Sequence, residues 1–293
     1  MNGWNMTKVA QRLLTFFIGI PIVLGIVFID YWNHLPVNAL VCIVSAFAAD
    51  ELYKMFRKKT PLLNRKLVII LSCAMPLIEY LTIILNNAFS GIEYSTWAFL
   101  IAAMILMGCE AFCHKTFGDS NSRLAGSVFI VFYCGFLLTF ITRITLFKES
   151  TVFLGLFLFT VFMNDSLAWL FGVLFGKNNR NVFAASPNKS MAGFAGGIFG
   201  AIASCVAARY IWPEIFTGPV YFAVILGFLS AIAAITGDLI ESVFKRSSEI
   251  KDSGNIIPGR GGILDCIDSI VFSAPIFYVA SYFLFHPEII GSR

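Results

Sequence analysis

The 293-residue sequence predicts an all-α, polytopic integral membrane protein with about nine transmembrane helices and a cytoplasmic N-terminus. Three observations predict it. Hydrophobic residues make up 58% of the chain and charged residues only 13%, against roughly 25% charged in soluble domains. Mean hydropathy is +0.81. The apolar residues also gather in runs near the ~20 residues that cross a bilayer as a helix. A soluble enzyme, a disordered chain and a secreted disulfide scaffold are excluded, because so few polar residues cannot clothe a water-facing surface.

Nine spans are read in order: Leu13–Tyr31, Leu35–Ala49, Leu67–Leu85, Trp97–Cys113, Leu124–Leu146, Thr151–Phe175, Phe194–Trp212, Pro219–Asp238 and Ile263–Leu284. The second continues toward Met55 and the eighth through Lys245. The first is too long for a signal-peptide core and lacks a small-residue cleavage site at its end, so it reads as a retained anchor. Orientation follows from the basic residues. With the N-terminus inside, 17 of the 21 Lys and Arg fall on the cytoplasmic side and 4 outside. Three polar segments, 50–66, 176–193 and 241–262, then share that side. No internal repeat is evident, and the chain reads as a single transmembrane domain over 1–293. Trp4, Trp32 and Trp97 lie near span ends, as an interfacial aromatic belt requires.

The net charge of +4 provides no footprint for nucleic acid. The seven cysteines lie mostly in apolar runs and read as small buried side chains. Cys109-x-x-x-Cys113-His114 has no fourth partner for a metal, so packing explains it better.

The richest polar stretch runs from Thr236 to Ser269. Asp238, Glu241, Ser242 and Lys245 are spaced to share one helix face. Ser253-Gly254 and Pro258-Gly259-Arg260-Gly261-Gly262 then break the helix. A new helix begins near Ile263 and carries Asp265, Asp268 and Ser269 on one face. Because the loop joins the inner end of one span to the inner start of the next, the two acidic faces are expected to meet at one membrane boundary. Carboxylates there repel each other and lose solvation. A divalent cation relieves both, and oxygen ligands of this kind suit Mg²⁺ bridging to phosphate. Lys245, Arg246, Lys251 and Arg260 supply positive charge for phosphate oxygens, and the Gly-rich turn brings backbone N–H groups near an anion. The bland alternative is a solvated loop obeying the positive-inside rule. It competes evenly for the basic residues and poorly for Asp238, Asp265 and Asp268, whose placement at span ends is costly unless used.

A second stretch begins at Asn164-Asp165-Ser166. Asp165 lies inside the sixth apolar run, so it is a functional candidate by default. Its alternative is a polar helix-packing cluster. Ser186-Pro187-Asn188-Lys189-Ser190, followed by Gly193, Gly196 and Gly197, makes a polar turn entering a small-residue helix. Either it cradles a phosphate or it packs closely on a neighbouring helix, and packing is the favoured reading.

The ordered series Ser242-x-x-Lys245-Arg246-x4-Lys251-Asp252-x-Gly254-x3-Pro258-Gly259-x-Gly261-Gly262-x-x-Asp265-x-x-Asp268-Ser269 resembles the signature of the phosphatidate cytidylyltransferases, or CDP-diacylglycerol synthases. The SPNKS…GFAGG segment resembles that family's second motif. The opening AQRLLTFFIGIPIVLGI and Glu51-Leu52-Tyr53-Lys54-Met55 are similar to its N-terminal region. The chain departs from the family pattern at Arg260, Cys266, Asn188 and Ala192.

The resemblance implies that CTP and phosphatidic acid give CDP-diacylglycerol and pyrophosphate at the inner face of a bacterial plasma membrane. It implies catalytic roles for Asp238, Asp265, Asp268, Lys245, Arg246, Lys251 and Asp252. Asp238 and Asp265 would hold Mg²⁺, with Asp268 as a further ligand. Substrate contacts are expected from Ser186, Lys189, Ser242, Arg260, Gly261, Gly262 and Asp165. One or two metal sites, an assisting monovalent cation and a homodimer all remain open. So do two other functions. A CTP-dependent kinase of a lipid alcohol would release CDP, and a transporter using Asp165 and Asp238 would consume no CTP.

Overall fold

The computed structural model describes residues 19–85, 94–257 and 259–288, and every regular element among them is helical apart from two isolated bridges. The helices are α1 (Ile20–Val27), α2 (Tyr31–Phe56), α3 (Arg65–Ile84), α4 (Tyr94–Cys113), α5 (Ser120–Ile130), α6 (Thr139–Ile144), α7 (Ser150–Phe175), α8 (Met191–Ile211), α9 (Val220–Ser247) and α10 (Leu264–Phe285). A π turn, Val131–Phe136, joins α5 to α6 within one span, Ser120–Ile144. Eight helical spans among the described residues are long and apolar enough to cross a membrane. They correspond to the second to ninth sequence runs. The start of the first run lies outside the described residues, as do Trp4, Lys8, Arg12, Pro258 and Arg293.

Burial on these helices is inverted relative to a soluble protein. On α4 the buried residues are Ser95, Ala98, Ala102, Leu106 and Glu110, a single narrow stripe at helical spacing. Leu100, Ile101, Met104, Ile105 and Met107 face outward. Such a helix keeps its polar groups inside and shows hydrocarbon to lipid. Several hydroxyls are satisfied within their own helices. Ser72, Ser204, Ser230, Thr236 and Ser273 each donate to the carbonyl four residues earlier, because the bilayer core supplies no water to accept them.

Backbone contacts divide the chain into two compact units. The first holds Met1–Thr142 and Phe244–Ile267, and the second holds Arg143–Val243 and Asp268–Arg293. In the first unit, α2 packs on α3, and α3 meets the π turn. Gly135 allows that approach, since a Cβ there would sit 2.7 Å from the Ser72 carbonyl. The Cys134 carbonyl in the π turn accepts from Ser45 Oγ at 2.7 Å, which repairs the backbone pairing that a wider turn disturbs. Phe244 packs edge-on to Phe56, Phe129 and Tyr133, fixing the end of α9 in this unit.

In the second unit, α7 and α8 form the most extensive helix pair. The glycines of α8 make it possible. A Cβ at Gly196 would lie 2.5 Å from Phe171 Cβ, one at Gly197 2.8 Å from Asn164 Oδ1, and one at Gly200 2.8 Å from the Met163 carbonyl. The small-residue face is filled by α7, so close packing is the observed role of Gly193, Gly196 and Gly197. Ser190 caps this helix, accepting from Gly193 N at 3.1 Å. Gly196→Val and Gly200→Val are therefore expected to destabilise the fold by about 1–3 kcal/mol through overpacking. Gly155→Ala, on α7 with nothing within 4 Å of its new Cβ, serves as the neutral control. Thermal unfolding in detergent micelles reads the difference.

Candidate active site

The stretch after α9 folds around two carboxylates. Asp265 stands in the first turn of α10 and accepts from Lys245 Nζ through Oδ1 at 2.9 Å. Its Oδ2 accepts from Ser253 N at 2.8 Å and Gly262 N at 2.7 Å, with Ser253 Oγ at 3.0 Å. Lys245 lies in the last turn of α9. A cation at a helix C-terminus and an anion at a helix N-terminus each sit in the favourable field of their own helix, and here they pair with one another. Gly261 has φ +114° and a bare Cα against the Asp265 carboxylate. Any side chain would be strained by that dihedral and would strike the carboxylate.

The second carboxylate is Glu51, at the C-terminal end of α2 and only 3% exposed. It accepts from Ser253 Oγ at 2.9 Å, Ile263 N at 3.0 Å and Leu264 N at 2.9 Å. Glu51 is not among the site residues expected from sequence. Its signal was present, a carboxylate closing an apolar run inside the Glu51–Met55 segment that carried part of the resemblance. Lys59 pairs with Glu249 at 2.5 Å just after α9. That ammonium holds the Glu249 carboxyl below the usual carboxylate range.

Beyond Glu51, Tyr53, Lys54, Arg57, Lys58 and Arg65 line a hollow of about 400 Å³. Asp50 pairs with Lys54 at 2.7 Å and with Arg65 at 2.5 Å, so the hollow keeps a positive excess. Arg246, Lys251, Asp252 and Arg260 are exposed around the loop, while Gly262 is buried within it.

The second unit holds a different acidic group. The carboxyl of Asp268 lies within electrostatic reach of Asp238, Asp165 and Glu241. The helix contact that brings α9 to α10 is made at Gly237, where a Cβ would run into the Asp268 carbonyl and lie 2.8 Å from Phe272 Cβ. Glu241 is fully buried, whereas Ser242 is half-buried. Lys189 forms an ion pair with Asp238. A turn closed by Lys189 N donating to the Ser186 carbonyl at 3.2 Å presents it, just ahead of the Ser190 cap. Ser186 thus shapes the backbone that carries Lys189. Asp165 accepts from the Asn164 side chain at 3.1 Å and lies exposed on α7.

The residues expected from sequence therefore form two sets. Lys245, Asp265, Gly261 and Gly262 are brought together in the first unit, and Lys189, Asp238, Asp268 and Asp165 in the second. No group of three His, Cys, Asp or Glu side chains in metal-holding arrangement occurs among the described residues. The donor chemistry of the second set nonetheless suits a hard divalent cation. Its carboxylates feel one another's charge, and Lys189 pairs with Asp238.

The Cytidylyltransferase family pattern matches residues 10–284. Phosphatidate cytidylyltransferase of Bacillus subtilis is 28% identical over 93% of this chain and 97% of its own length. That of Synechocystis is 28% identical over 92% of this chain and 94% of its own. The chloroplastic phosphatidate cytidylyltransferase 4 of Arabidopsis thaliana is 28% identical over 69% of this chain, which spans about half, 54%, of the plant protein's length. With its signature loop, its helical spans and a match over nearly all its length, the chain belongs to the cytidylyltransferase family.

Proposed function

We propose that this protein is a phosphatidate cytidylyltransferase, converting CTP and phosphatidic acid to CDP-diacylglycerol and pyrophosphate in the inner membrane, with its site toward the cytoplasm. The observation that carries the reading is the family match over almost the whole chain, together with a loop that two carboxylates organise between membrane helices. Relatives that match over nearly their full length are named for this activity. The reading extends to nine spans, with the N-terminus on the side where Lys and Arg concentrate.

The chemistry follows from charge. An oxygen of the lipid phosphate attacks the α-phosphorus of CTP in line, and the bond to the β-phosphate breaks to release pyrophosphate. The attacking phosphate is already ionised, so no general base is required. Arg246, Lys251 and Arg260 are exposed around the loop and suit the phosphate oxygens, whose charge rises as the bond breaks. Lys189 and Lys245 stand beside Asp238 and Asp265, poised to exchange a carboxylate for a phosphate partner. Asp238 and Asp268 are the residues that would hold Mg²⁺, which when bound shields the transferring phosphoryl and the leaving pyrophosphate. Asp265 has a different role here. With Oδ2 committed to Ser253 and Gly262, it shapes the loop.

The test is a turnover assay with purified protein in lipid micelles, using CTP labelled in the cytidine. Label is expected in the lipid, with pyrophosphate released and the reaction stopped by chelator. Release of CDP would instead identify a lipid kinase, and the absence of CTP turnover would remove the enzyme reading. Asp238→Asn and Asp268→Asn are each expected to lower turnover roughly 10²–10³-fold, as loss of one electrostatic stabiliser does. Gly237→Ala should also depress turnover, because its methyl group displaces the Asp268 backbone, while Gly155→Ala should leave it at the wild-type rate.

A further inference from the structure

We propose that Glu51 is a positioning residue for this reaction. Its buried carboxylate fixes the loop from Ser253 to Leu264 and so sets the orientation of Asp265. The reaction readout rests on the function proposed above, whereas the structural readout does not.

Three observations carry the inference. The first is where the acceptors of Glu51 are used. The contacts with Ser253, Ile263 and Leu264 lie 202, 212 and 213 residues away in sequence, so this is a tertiary tie and not a local cap. Gly262 and Ile263 lead into α10 and Leu264 opens it, and none of their N–H groups has an intrahelical acceptor. Asp265 takes the first of the three and Glu51 takes the other two. Remove Glu51 and two backbone donors of the loop lose their acceptor together.

The second is steric. A Cβ at Gly254 would lie 2.5 Å from Glu51 Oε1, and one at Gly262 would run into both Ser253 Oγ and Glu51 Oε2. The loop is moulded on the carboxylate at two of its glycines. Those glycines are needed because Glu51 is there.

The third concerns one proton. Ser253 Oγ lies 2.9 Å from Glu51 Oε2 and 3.0 Å from Asp265 Oδ2. A serine carries a single hydroxyl hydrogen and donates to one acceptor at a time. Asp265 Oδ2 already accepts two backbone N–H groups. Glu51 therefore competes with Asp265 for that hydrogen, and Ser253 links the two carboxylates through its side chain and its backbone.

The experiment uses the full-length purified chain and two variants. Glu51→Gln keeps the shape but turns an amide donor toward a backbone N–H donor. Glu51→Asp keeps the charge on a shorter arm. Hydrogen–deuterium exchange is followed in peptides covering 253–266 and, as controls, in peptides from α3 and α7. For Glu51→Gln, exchange in 253–266 is expected to rise about 10–100-fold, the scale of a hydrogen bond to a charged group, with the control helices unchanged. Turnover at saturating CTP should fall with it, while KM for CTP stays near the wild-type value. Glu51→Asp should recover part of both.

Wild-type exchange of 253–266 in Glu51→Gln overturns the proposal. So does faster exchange spread equally over α3 and α7, which would make Glu51 a general core residue. Should Glu51→Gln fail to fold, Glu51→Asp carries the same comparison, and a loop indistinguishable from wild type overturns the proposal there too. Absence of CTP turnover in the wild-type chain would count against the proposed reaction, while the exchange data would still decide the role of Glu51 in the loop.

Discussion

The N–H groups of Gly262, Ile263 and Leu264 lead into a membrane helix, and a helix cannot satisfy its own first donors. An unpaired buried N–H costs about 1–3 kcal/mol, more than most single contacts return. In this protein two carboxylates satisfy all three, Asp265 from within α10 and Glu51 from α2. Anions at that end also meet the positive pole of the helix dipole. The positions of Gly254, Gly261 and Gly262, of Ser253 and of Lys245 follow from this pairing. Each either leaves room for a carboxylate or donates to one. The loop is consequently specified by electrostatics and fit, where apolar packing has little to offer.

In the second unit the constraint is helix approach. Glycines on α8 let it lie against the backbone of α7, and Gly227 does the same for α9 on α8, with a Cβ there only 2.6 Å from Ile202 Cα. Such contacts rely on dispersion and close fit, because lipid provides no hydrophobic drive between helices. Gly237 continues the pattern at the point where Asp238 and Asp268 share a neighbourhood. The same device that holds the helices together thus concentrates negative charge. Lys189 offsets part of that charge at Asp238.

Much of this was legible in the sequence, for identifiable reasons. Apolar runs fix spans because a bilayer forbids unpaired backbone, and eight of the nine runs correspond to helices among the described residues. The end of α9 near Lys245 and the start of α10 near Ile263 followed from Gly and Pro punctuation. The purpose of Gly196 and Gly197 also followed, since small residues at helical spacing in a span mean contact. Glu51 did not follow. Its partners lie more than 200 residues away, and no local pattern ties a glutamate at one helix end to N–H groups at another. The Lys189–Asp238 pair was hidden for the same reason, 49 residues apart and joined only by tertiary structure. The π turn at Val131–Phe136 has no compositional signal at all.

The two aspartates of the D-x-x-D pattern show why spacing alone underdetermines chemistry. They stand one helical turn apart and carry the same functional group, yet their surroundings differ. Asp265 meets four donors, a lysine, two backbone N–H groups and a hydroxyl. Asp268 accepts from Ser269 N at 2.6 Å and otherwise faces other carboxylates. A carboxylate surrounded by donors has its charge balanced, and these contacts hold the loop around Asp265. A carboxylate among carboxylates has an uncompensated field and gains most from a cation. The motif therefore places two different electrostatic environments on one helix, one rich in donors and one rich in negative charge.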